Sequence, residues 1–274
     1  MTVKPEAKFN LRVVLSGKCN YKCTFCSLDF NQGAPNRDMC TNLLNGCIEA
    51  FARLGGERVH FSGGEPLLYP NLNDALRLVR SLGMSNALTT NGALLEAQRP
   101  EFPTLVDKIN VSMPAFEQGA YAAVTRSKGV LLERVKAEAV AMRRRGICVK
   151  INAVYLEDNE ETLSEMVAFF SAQDITTKIM NDMFGSREYY EKFLTYAKRW
   201  RNHPYVVIEK ELNPGLPICR DCRVSKRGSC PSCRSIWLYP DGRVTVCPRG
   251  RKGGFRCSTL EDAQRAIEMC WKMA

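Results

Sequence analysis

The sequence predicts an α/β fold, a parallel sheet with helices outside it, followed by a small cysteine-rich C-terminal region. Short apolar or β-branched runs alternate with helical patterns over the first two-thirds of the 274 residues, which is typical of repeated βα units. A Pro/Gly-rich segment, Asn213–Pro217, ends this alternation. Beyond it the cysteines lie close together in sequence. We therefore expect a large domain at 1–212 and a small one at 213–274.

Six strands and five helices account for most of the large domain. The predicted strands are Leu11–Leu15, Arg58–Phe61, Ala87–Thr90, Lys108–Val111, Val149–Val154 and Thr176–Met180. The predicted helices are Thr41–Leu54, Leu72–Leu82, Gly129–Arg145, Glu161–Ala172 and Arg187–Arg201. Six units of this kind form an open sheet or a partial barrel, because a closed eight-unit barrel needs more chain.

A hairpin and a final helix are predicted in the C-terminal region. Two strands, Ser235–Tyr239 and Arg243–Cys247, are joined by a turn at Pro240-Asp241-Gly242. The helix begins with the capping box Ser258-Thr259-Leu260-Glu261 and runs towards Lys272.

The composition is that of a globular protein, with 45% hydrophobic and 25% charged residues. There is no apolar run of the roughly 18 residues that a membrane helix needs, and the first residues lack the apolar core of a signal peptide. We therefore expect a cytoplasmic protein without a membrane segment. Thirteen cysteines in such a chain favour metal ligation over disulfides, because the count is odd and the cysteines are clustered.

The net charge of +10 is concentrated near the later cysteines. Ten cations and two carboxylates lie between Cys219 and Cys257. A nucleic-acid partner would explain such a patch. We favour the simpler explanation that the cations offset the negative charge of thiolates and of a bound cluster, so nucleic acid is an unlikely partner.

Cys19, Cys23 and Cys26 follow the first predicted strand directly, in the spacing Cys-x3-Cys-x2-Cys. Three thiolates can bind three irons of a [4Fe–4S] cube and leave the fourth iron open for a small molecule. A structural zinc site is the alternative, but it would need a fourth ligand, and the nearby sequence offers none.

The residues around this motif resemble the radical SAM (S-adenosylmethionine) superfamily. Phe25 stands where that family has an aromatic residue beside the adenine, and Ser62-Gly63-Gly64-Glu65 resembles its GGE motif. In the resemblance Glu65 accepts a hydrogen bond from the SAM amino group. Further SAM contacts are implied for Thr90, Asn91 and Ser112. The implied fold is a partial (β/α)6 TIM barrel of the radical SAM type.

The resemblance also implies an activity. SAM binds the open iron, and an electron from the reduced cluster cleaves SAM to give a 5′-deoxyadenosyl radical. This radical removes a hydrogen atom from a substrate. A flavodoxin or a ferredoxin-type protein is the expected reductant. The protein then contributes placement and water exclusion, since the cofactor carries the difficult chemistry.

A second cysteine group, Cys230, Cys233 and Cys247, resembles the second-cluster motif of the molybdenum-cofactor GTP 3′,8-cyclases and the shortened "twitch" form of the SPASM extension. We expect an auxiliary [4Fe–4S] cluster here. Its fourth ligand is Cys219, Cys222, Cys257 or the substrate. Zinc bound by Cys219, Cys222, Cys230 and Cys233 is the competing interpretation.

Strand alternation directs three cations, Arg12, Lys150 and Lys178, away from the apolar face and into the barrel. A buried unpaired cation is costly, so either an anionic ligand or a carboxylate partner must compensate each one. The cyclases resemble this chain at these positions, where they keep basic residues for the GTP triphosphate. His60 and His203 receive no role, and Cys148, like Cys40, Cys47 and Cys270, is expected to be structural, with hydrogen-atom donation as its alternative.

Three functional hypotheses remain open. The first is a radical SAM enzyme on a small, anionic substrate such as a nucleotide, nucleoside or sugar, in cofactor or natural-product biosynthesis. The segment Arg234-Ser235-Ile236 and the C-terminal residues depart from the cyclases, which puts GTP cyclisation itself in doubt. The second is a peptide-modifying radical SAM enzyme. The third is a non-catalytic iron–sulfur or zinc-binding module.

Overall fold

A computed structural model describes residues 10–26, 37–98, 100–156, 159–182, 185–209, 235–246, 254–257 and 259–273. Within these ranges, ten strands form one sheet in the order β10-β9-β8-β1-β2-β3-β4-β5-β6-β7. The strands are β1 Asn10–Val14, β2 Arg58–Ser62, β3 Ser85–Thr90, β4 Lys108–Ser112, β5 Cys148–Val154, β6 Thr176–Met180, β7 Val206–Glu209, β8 Ser235–Leu238, β9 Arg243–Thr245 and β10 Phe255–Arg256.

Helices connect the strands and cover one face of the sheet. They are α1 Thr41–Arg53, α2 Leu72–Ser81, α3 Phe102–Leu105, α4 Gln118–Thr125, α5 Leu132–Arg144, α6 Glu160–Ser171, α7 Arg187–Lys198 and α8 Leu260–Met273. A 3-10 turn at Pro66–Leu68 follows β2. No helix in the described ranges is long and apolar enough to cross a membrane.

The predicted α/β fold is confirmed, and the architecture is that of a partial barrel. The run from β8 through β1 to β7 is parallel throughout. All six predicted strands are present, with ends that differ by no more than two residues. The structure adds β7, which follows the helix predicted to reach Arg201 but ending at Lys198. It also adds the two short helices α3 and α4.

Alternation along each strand separates an apolar face from a polar one. Leu11 and Val13 are fully buried beneath the helices, as are Ile151 and Ala153 on β5. Burying each larger side chain of this kind contributes about 1.5–3 kcal/mol. Since successive residues point to opposite faces, the intervening polar residues line the inner, concave side. The sequence-based assignment of Arg12, Lys150 and Lys178 to that side agrees with this register.

The described C-terminal residues continue the main sheet. The predicted hairpin forms, with β8 and β9 antiparallel, and β8 also pairs in parallel with β1. Helix α8 packs on α1, where the rings of Phe51 and Trp271 meet edge to face at 5.7 Å between centroids. The side chain of Leu260 lies so close to Gly46 that a Cβ there would be 1.9 Å from it. The division at residue 213 lies outside the described residues and stays a prediction.

Ser258, which begins the predicted capping box of the last helix, lies outside the described residues, and the structure describes a capping box between Thr259 and Asp262. Thr259 N donates to Asp262 Oδ2, and Asp262 N donates to Thr259 Oγ1, both at 3.1 Å. This reciprocal pair satisfies two N–H groups that the first turn leaves free.

Candidate active site

The loop that carries the three cysteines leaves β1 at the carboxyl edge of the sheet. Cys19 and Cys26 are exposed and Cys23 is half-buried. The backbone N–H of Tyr21 donates to Cys19 Sγ at 3.3 Å, and Cys26 N donates to Cys23 O at 3.2 Å. These two local hydrogen bonds fold each end of the loop back on itself.

Helix α4, which the sequence did not predict, supports this loop. The N–H groups of Lys22 and Thr24 donate to the carbonyls of Thr125 and Val124, at 3.1 and 2.8 Å. These carbonyls belong to the last turn of α4, which has no partners within the helix for them. The cysteine loop therefore caps the helix, and the helix in turn fixes the loop.

A pair of tyrosines buries the underside of the same loop. The hydroxyls of Tyr21 and Tyr121 are 3.1 Å apart, and their rings meet edge to face. Burial raises the pKa of Tyr121 to about 12. Both hydroxyls therefore stay protonated at neutral pH, and the contact holds the loop without adding charge beside the cysteines.

The thiols fit a cationic iron–sulfur group better than they fit the bare protein. Burial, and then the neighbouring Cys26 and Cys19, raise the pKa of Cys23 to about 12. The pKa of Cys19 is also raised, first by burial. In the described part of the chain, no three metal-ligating side chains converge on a point that one ion could occupy. Three thiolates in the sequence spacing of Cys19, Cys23 and Cys26 can each bind one iron of a [4Fe–4S] cube.

The Gly63-Gly64 loop after β2 packs directly against the backbone that leads into the cysteine loop. Gly64 N donates to Ser16 O and Glu65 N donates to Lys18 O, both at 2.8 Å. A Cβ on Gly64 would lie 2.1 Å from Lys18 O, and Gly63 has a φ of +145°. The glycines are therefore required for this backbone approach. It joins the two loops expected to hold SAM.

The cysteine loop and the loops after β2 and β3 form a rim at the carboxyl edge of the sheet. Glu65 lies buried at the centre of this rim, with 1% of its surface exposed. Its Oε1 accepts hydrogen bonds from Thr90 Oγ1 at 2.7 Å and from Leu67 N at 3.0 Å. Its Oε2 accepts one from Asn91 N at 2.8 Å. A carboxylate offers about four acceptor positions, so one remains for a ligand. Burial raises the pKa of Glu65, and these hydrogen bonds offset part of the rise. The resulting pKa is about 7.

Asn91 connects Glu65 to the cysteine loop. Its Nδ2 donates to Asn20 Oδ1 at 2.7 Å and lies 3.9 Å from Cys19 Sγ. The other predicted SAM residues are placed on or near the same rim, namely Phe25 in the cysteine loop, Ser62 at the end of β2 and Ser112 at the end of β4. Thr90 is buried, and its hydroxyl is already bound to Glu65.

Basic side chains dominate the inner face below this rim. Arg12 Nε donates to Ser235 Oγ at 3.3 Å, and the guanidinium lies over the Trp237 ring at 5.2 Å. Lys178 has a carboxylate partner, since its Nζ lies 3.0 Å from Glu209 Oε2. Lys150 forms no ion pair with any described residue. The three predicted cations thus share one face, and Lys178 is paired there with Glu209.

Sequence reasoning missed two members of this face. His60 pairs with Arg12 in the register of β1 and β2, and its Nε2 is 2.7 Å from Thr89 Oγ1. Lys108 lies at the base of β4, where burial and then the neighbouring Lys150 lower its pKa. Alternation could have indicated both, because His60 lies between the apolar Val59 and Phe61, and Lys108 precedes the buried Ile109.

One buried acceptor on the inner face has no partner among the described residues. Asn152 Oδ1 is shielded from solvent without a hydrogen bond, and Asn152 lies beside Lys178 in the register of β5 and β6. A buried unpaired amide oxygen costs about 1–3 kcal/mol. A ligand that donates a hydrogen bond would remove that cost.

The second cysteine group, Cys230, Cys233 and Cys247, lies outside the described residues, as do Cys219 and Cys222. Cys257 is described and half-buried, and burial raises its pKa to about 11. Its sulfur acts electrostatically on Cys47 and Cys270, which belong to α1 and α8. Cys257 therefore packs towards the helix layer. Cys148 is exposed at the start of β5.

The cysteine loop and Glu65 lie where barrel enzymes place their sites, at the carboxyl ends of parallel strands. The radical SAM superfamily matches residues 13–170. The match covers more than half of the chain. The chain therefore belongs to the radical SAM superfamily and is an enzyme. The family implies a [4Fe–4S] cluster and SAM, and the matched range includes Cys19, Cys23 and Cys26.

The chain is also similar to curated proteins of one activity. It is 25% identical to a probable GTP 3′,8-cyclase of Methanocella arvoryzae, over 87% of this chain and 80% of the relative. It is 29% identical to a GTP 3′,8-cyclase of Rhizobium leguminosarum bv. trifolii, over 94% and 79%. Among solved structures, SuiB of Streptococcus suis bound to S-adenosylmethionine shares the fold, with a TM-score of 0.68 and 18% identity. That match covers 93% of this chain and 65% of SuiB.

Proposed function

We propose that this enzyme generates a 5′-deoxyadenosyl radical and uses it on a small anionic substrate in cofactor or natural-product biosynthesis. The observation that carries the proposal is the basic inner face, which lies directly below the rim that holds the cysteine loop and Glu65. A nucleotide, nucleoside or sugar-like anion fits this face. The similarity to GTP 3′,8-cyclases over most of the chain supports the same substrate class.

Each group of residues has one task in this proposal. Cys19, Cys23 and Cys26 hold the cluster, and Glu65 keeps one acceptor position for the SAM amino group. Phe25 borders the adenine, while Ser62, Asn91 and Ser112 line the rim around the ligand. Together, the bound cluster and SAM supply the one-electron cleavage that yields the radical. The chain keeps water away and holds the substrate carbon within reach.

Arg12 and Lys150 bind the anionic part of the substrate, and Lys178 contributes to the extent that Glu209 leaves its charge free. Asn152 accepts a hydrogen bond from a substrate hydroxyl or amine. An anion on these residues is held below the rim, so its reactive carbon points up towards SAM. Fixing both reactants in this way removes much of the entropic barrier to hydrogen transfer.

We further propose that Cys230, Cys233 and Cys247 bind an auxiliary [4Fe–4S] cluster within a twitch-like domain at 213–274. Cys219 and Cys222 remain candidates for its fourth ligand, as does the substrate. The direction of Cys257 towards Cys47 and Cys270 makes it the weakest candidate. A flavodoxin or a ferredoxin-type protein supplies the electron.

The test is turnover by anaerobically reconstituted enzyme with SAM, dithionite and one candidate nucleotide at a time, GTP first. We expect 5′-deoxyadenosine in every reaction and substrate-dependent deuterium transfer into it from the matching labelled nucleotide. Arg12→Met and Lys150→Met should keep cleaving SAM but lose deuterium transfer. Deuterium transfer that is unchanged in both variants, or that occurs only with a peptide, would contradict the anionic substrate.

A further inference from the structure

His60 lies in the middle of the basic inner face, although nothing in the local sequence marks it. It belongs to β2, between the outward-facing Val59 and Phe61, which are fully buried. Its Nε2 is 2.7 Å from Thr89 Oγ1 on the neighbouring β3. The hydroxyl can donate to this nitrogen or accept from it. The ring therefore keeps a partner whether it is neutral or protonated.

Cations reach this ring from the strands around it. Besides burial, the positive charges of four cations lower the pKa of the His60 ring: Arg12 on β1, Lys108 on β4, Lys178 on β6 and Arg58 on the same strand as His60. Lys150 on β5 is a further cation on this face, and Cys148 is its other titratable group on that strand. Thr89 on β3 and Trp237 on β8 are uncharged. On these strands, Glu209 on β7 is the one described carboxylate, and it is paired with Lys178.

In the protein without substrate, burial is the main cause that lowers the pKa of His60 well below its usual value, and the surrounding cations lower it further. The ring is therefore neutral at neutral pH. An anion placed among the same cations offsets their effect on the ring. Opposite charge within a few ångströms favours the protonated imidazole.

We propose that His60 takes up a proton when an anionic ligand binds on the inner face, so that the ring becomes an additional cation of the substrate site. This inference rests on the proposed function for the presence of an anion, and it adds a coupling between binding and protonation. In the free enzyme His60 is neutral and adds no positive charge to the inner face. It gains its positive charge when the anionic ligand binds. Affinity then rises as the pH falls.

The chain makes this measurable because it contains two histidines, His60 and His203. His203 lies in the connection between α7 and β7 and serves as the internal reference. The protein is labelled on the histidine ring, reconstituted with its cluster and titrated by NMR, with and without saturating inorganic tripolyphosphate. Sulfate, which does not titrate near neutral pH, serves as a second probe. A His60→Gln variant assigns the signals.

We expect the midpoint of His60 to rise by about one pH unit or more when the probe binds, equivalent to about a tenfold change in affinity, with a smaller change at His203. Calorimetry in buffers of different ionisation enthalpy should show proton uptake that is reduced in His60→Gln. His60→Arg should bind the probe tightly and lose the pH dependence. Because the two variants differ in charge, a folding defect in one leaves the other informative.

A probe that binds while the His60 midpoint stays unchanged would overturn this inference and leave the anionic substrate standing. Failure of both probes to bind would overturn the inference and the anionic substrate together. In that case, 5′-deoxyadenosine formation shows whether the radical activity itself remains.

Discussion

Glu65 Oε2 accepts a hydrogen bond from the backbone N–H of Asn91 at 2.8 Å. This bond joins the loop after β2 to the loop after β3, and the side chain of Asn91 continues the connection to Asn20 in the cysteine loop. Glu65 therefore holds the parts of the SAM rim together, whether or not it also touches SAM.

Glu65→Gln should weaken SAM binding by about tenfold or more, because one of its carboxylate oxygens is replaced by an NH2 group. That group would face a donor, either Asn91 N–H or the Thr90 and Leu67 donors. A buried donor left without an acceptor costs about 1–3 kcal/mol. Equilibrium dialysis with SAM measures the effect. Glu101→Gln, which alters an exposed partner of Arg77, is the control. Equal affinity in both variants would show that Glu65 does not organise the rim.

The raised pKa of Glu65 leads to a prediction of how the stability of the ligand-free chain depends on pH. The folded-state pKa of Glu65 is about 7, above the ordinary 4.5. The folded state therefore binds more protons in that window, and the free energy of unfolding falls as the pH rises from 4.5 to 7. The full cost is on the order of 3 kcal/mol. Urea unfolding at several pH values should show this slope, and Glu65→Gln should flatten it. An unchanged slope would contradict the assignment.

Replacing Cys19, Cys23 or Cys26 by Ala should abolish SAM cleavage and lower the iron bound after reconstitution. Each replacement removes the ligand of one iron, so the cube loses a protein anchor. Cys40→Ala is the matched control, because Cys40 is also exposed but precedes α1 on a different segment. Iron and sulfide content, visible absorption and 5′-deoxyadenosine are measured together. Full iron content in Cys23→Ala would exclude that residue as a ligand.

Gly64→Ala should destabilise the fold by about 1–3 kcal/mol or more and reduce cluster retention. The added methyl group would clash with backbone atoms, which cannot move aside as a flexible side chain can. The added methyl group would meet Lys18 O at 2.1 Å. Gly83→Ala is the control, with a φ of +73° and open space around it, so its cost is backbone strain of about 1–2 kcal/mol. Urea unfolding and iron content distinguish the two. Cluster loss in Gly83→Ala alone would contradict this account.

Glu209→Gln should tighten tripolyphosphate binding by about two- to fivefold, since it frees Lys178 from a half-exposed ion pair. Lys178→Met should weaken binding instead. Calorimetry at low ionic strength gives both values. If Glu209→Gln leaves the affinity unchanged and Lys178→Met does too, Lys178 has no part in anion binding.

Strand alternation explains how much could be predicted. β-branched and apolar runs identify strands that are buried on one face, and the same count placed Arg12, Lys150 and Lys178 inside. β7 escaped because Val206–Glu209 is four residues long and only partly buried. Helix α4 escaped because its eight residues carry too few turns for a clear period.

The sequence analysis did not identify some residues of the site for a different reason. The position of His60 becomes meaningful only when β1 and β2 are in register, since its importance comes from Arg12, Lys108 and Lys178 on other strands. Such long-range relations leave no local pattern. The support of the cysteine loop by α4 is of the same kind, since it joins Thr24 to Val124 across 100 positions.

The pairing of β8 with β1 also sets an order of events in the growing chain. Arg12 and Ser235 are 223 positions apart. At roughly 5–20 residues per second, on the order of tens of seconds of translation separate their synthesis. Throughout that interval the outer edge of β1 has no strand beside it, while the three cysteines that follow β1 are already made. Iron–sulfur assembly can thus reach the cysteine loop before the sheet is complete, and a ribosome stalled before residue 235 leaves an open strand edge that favours aggregation.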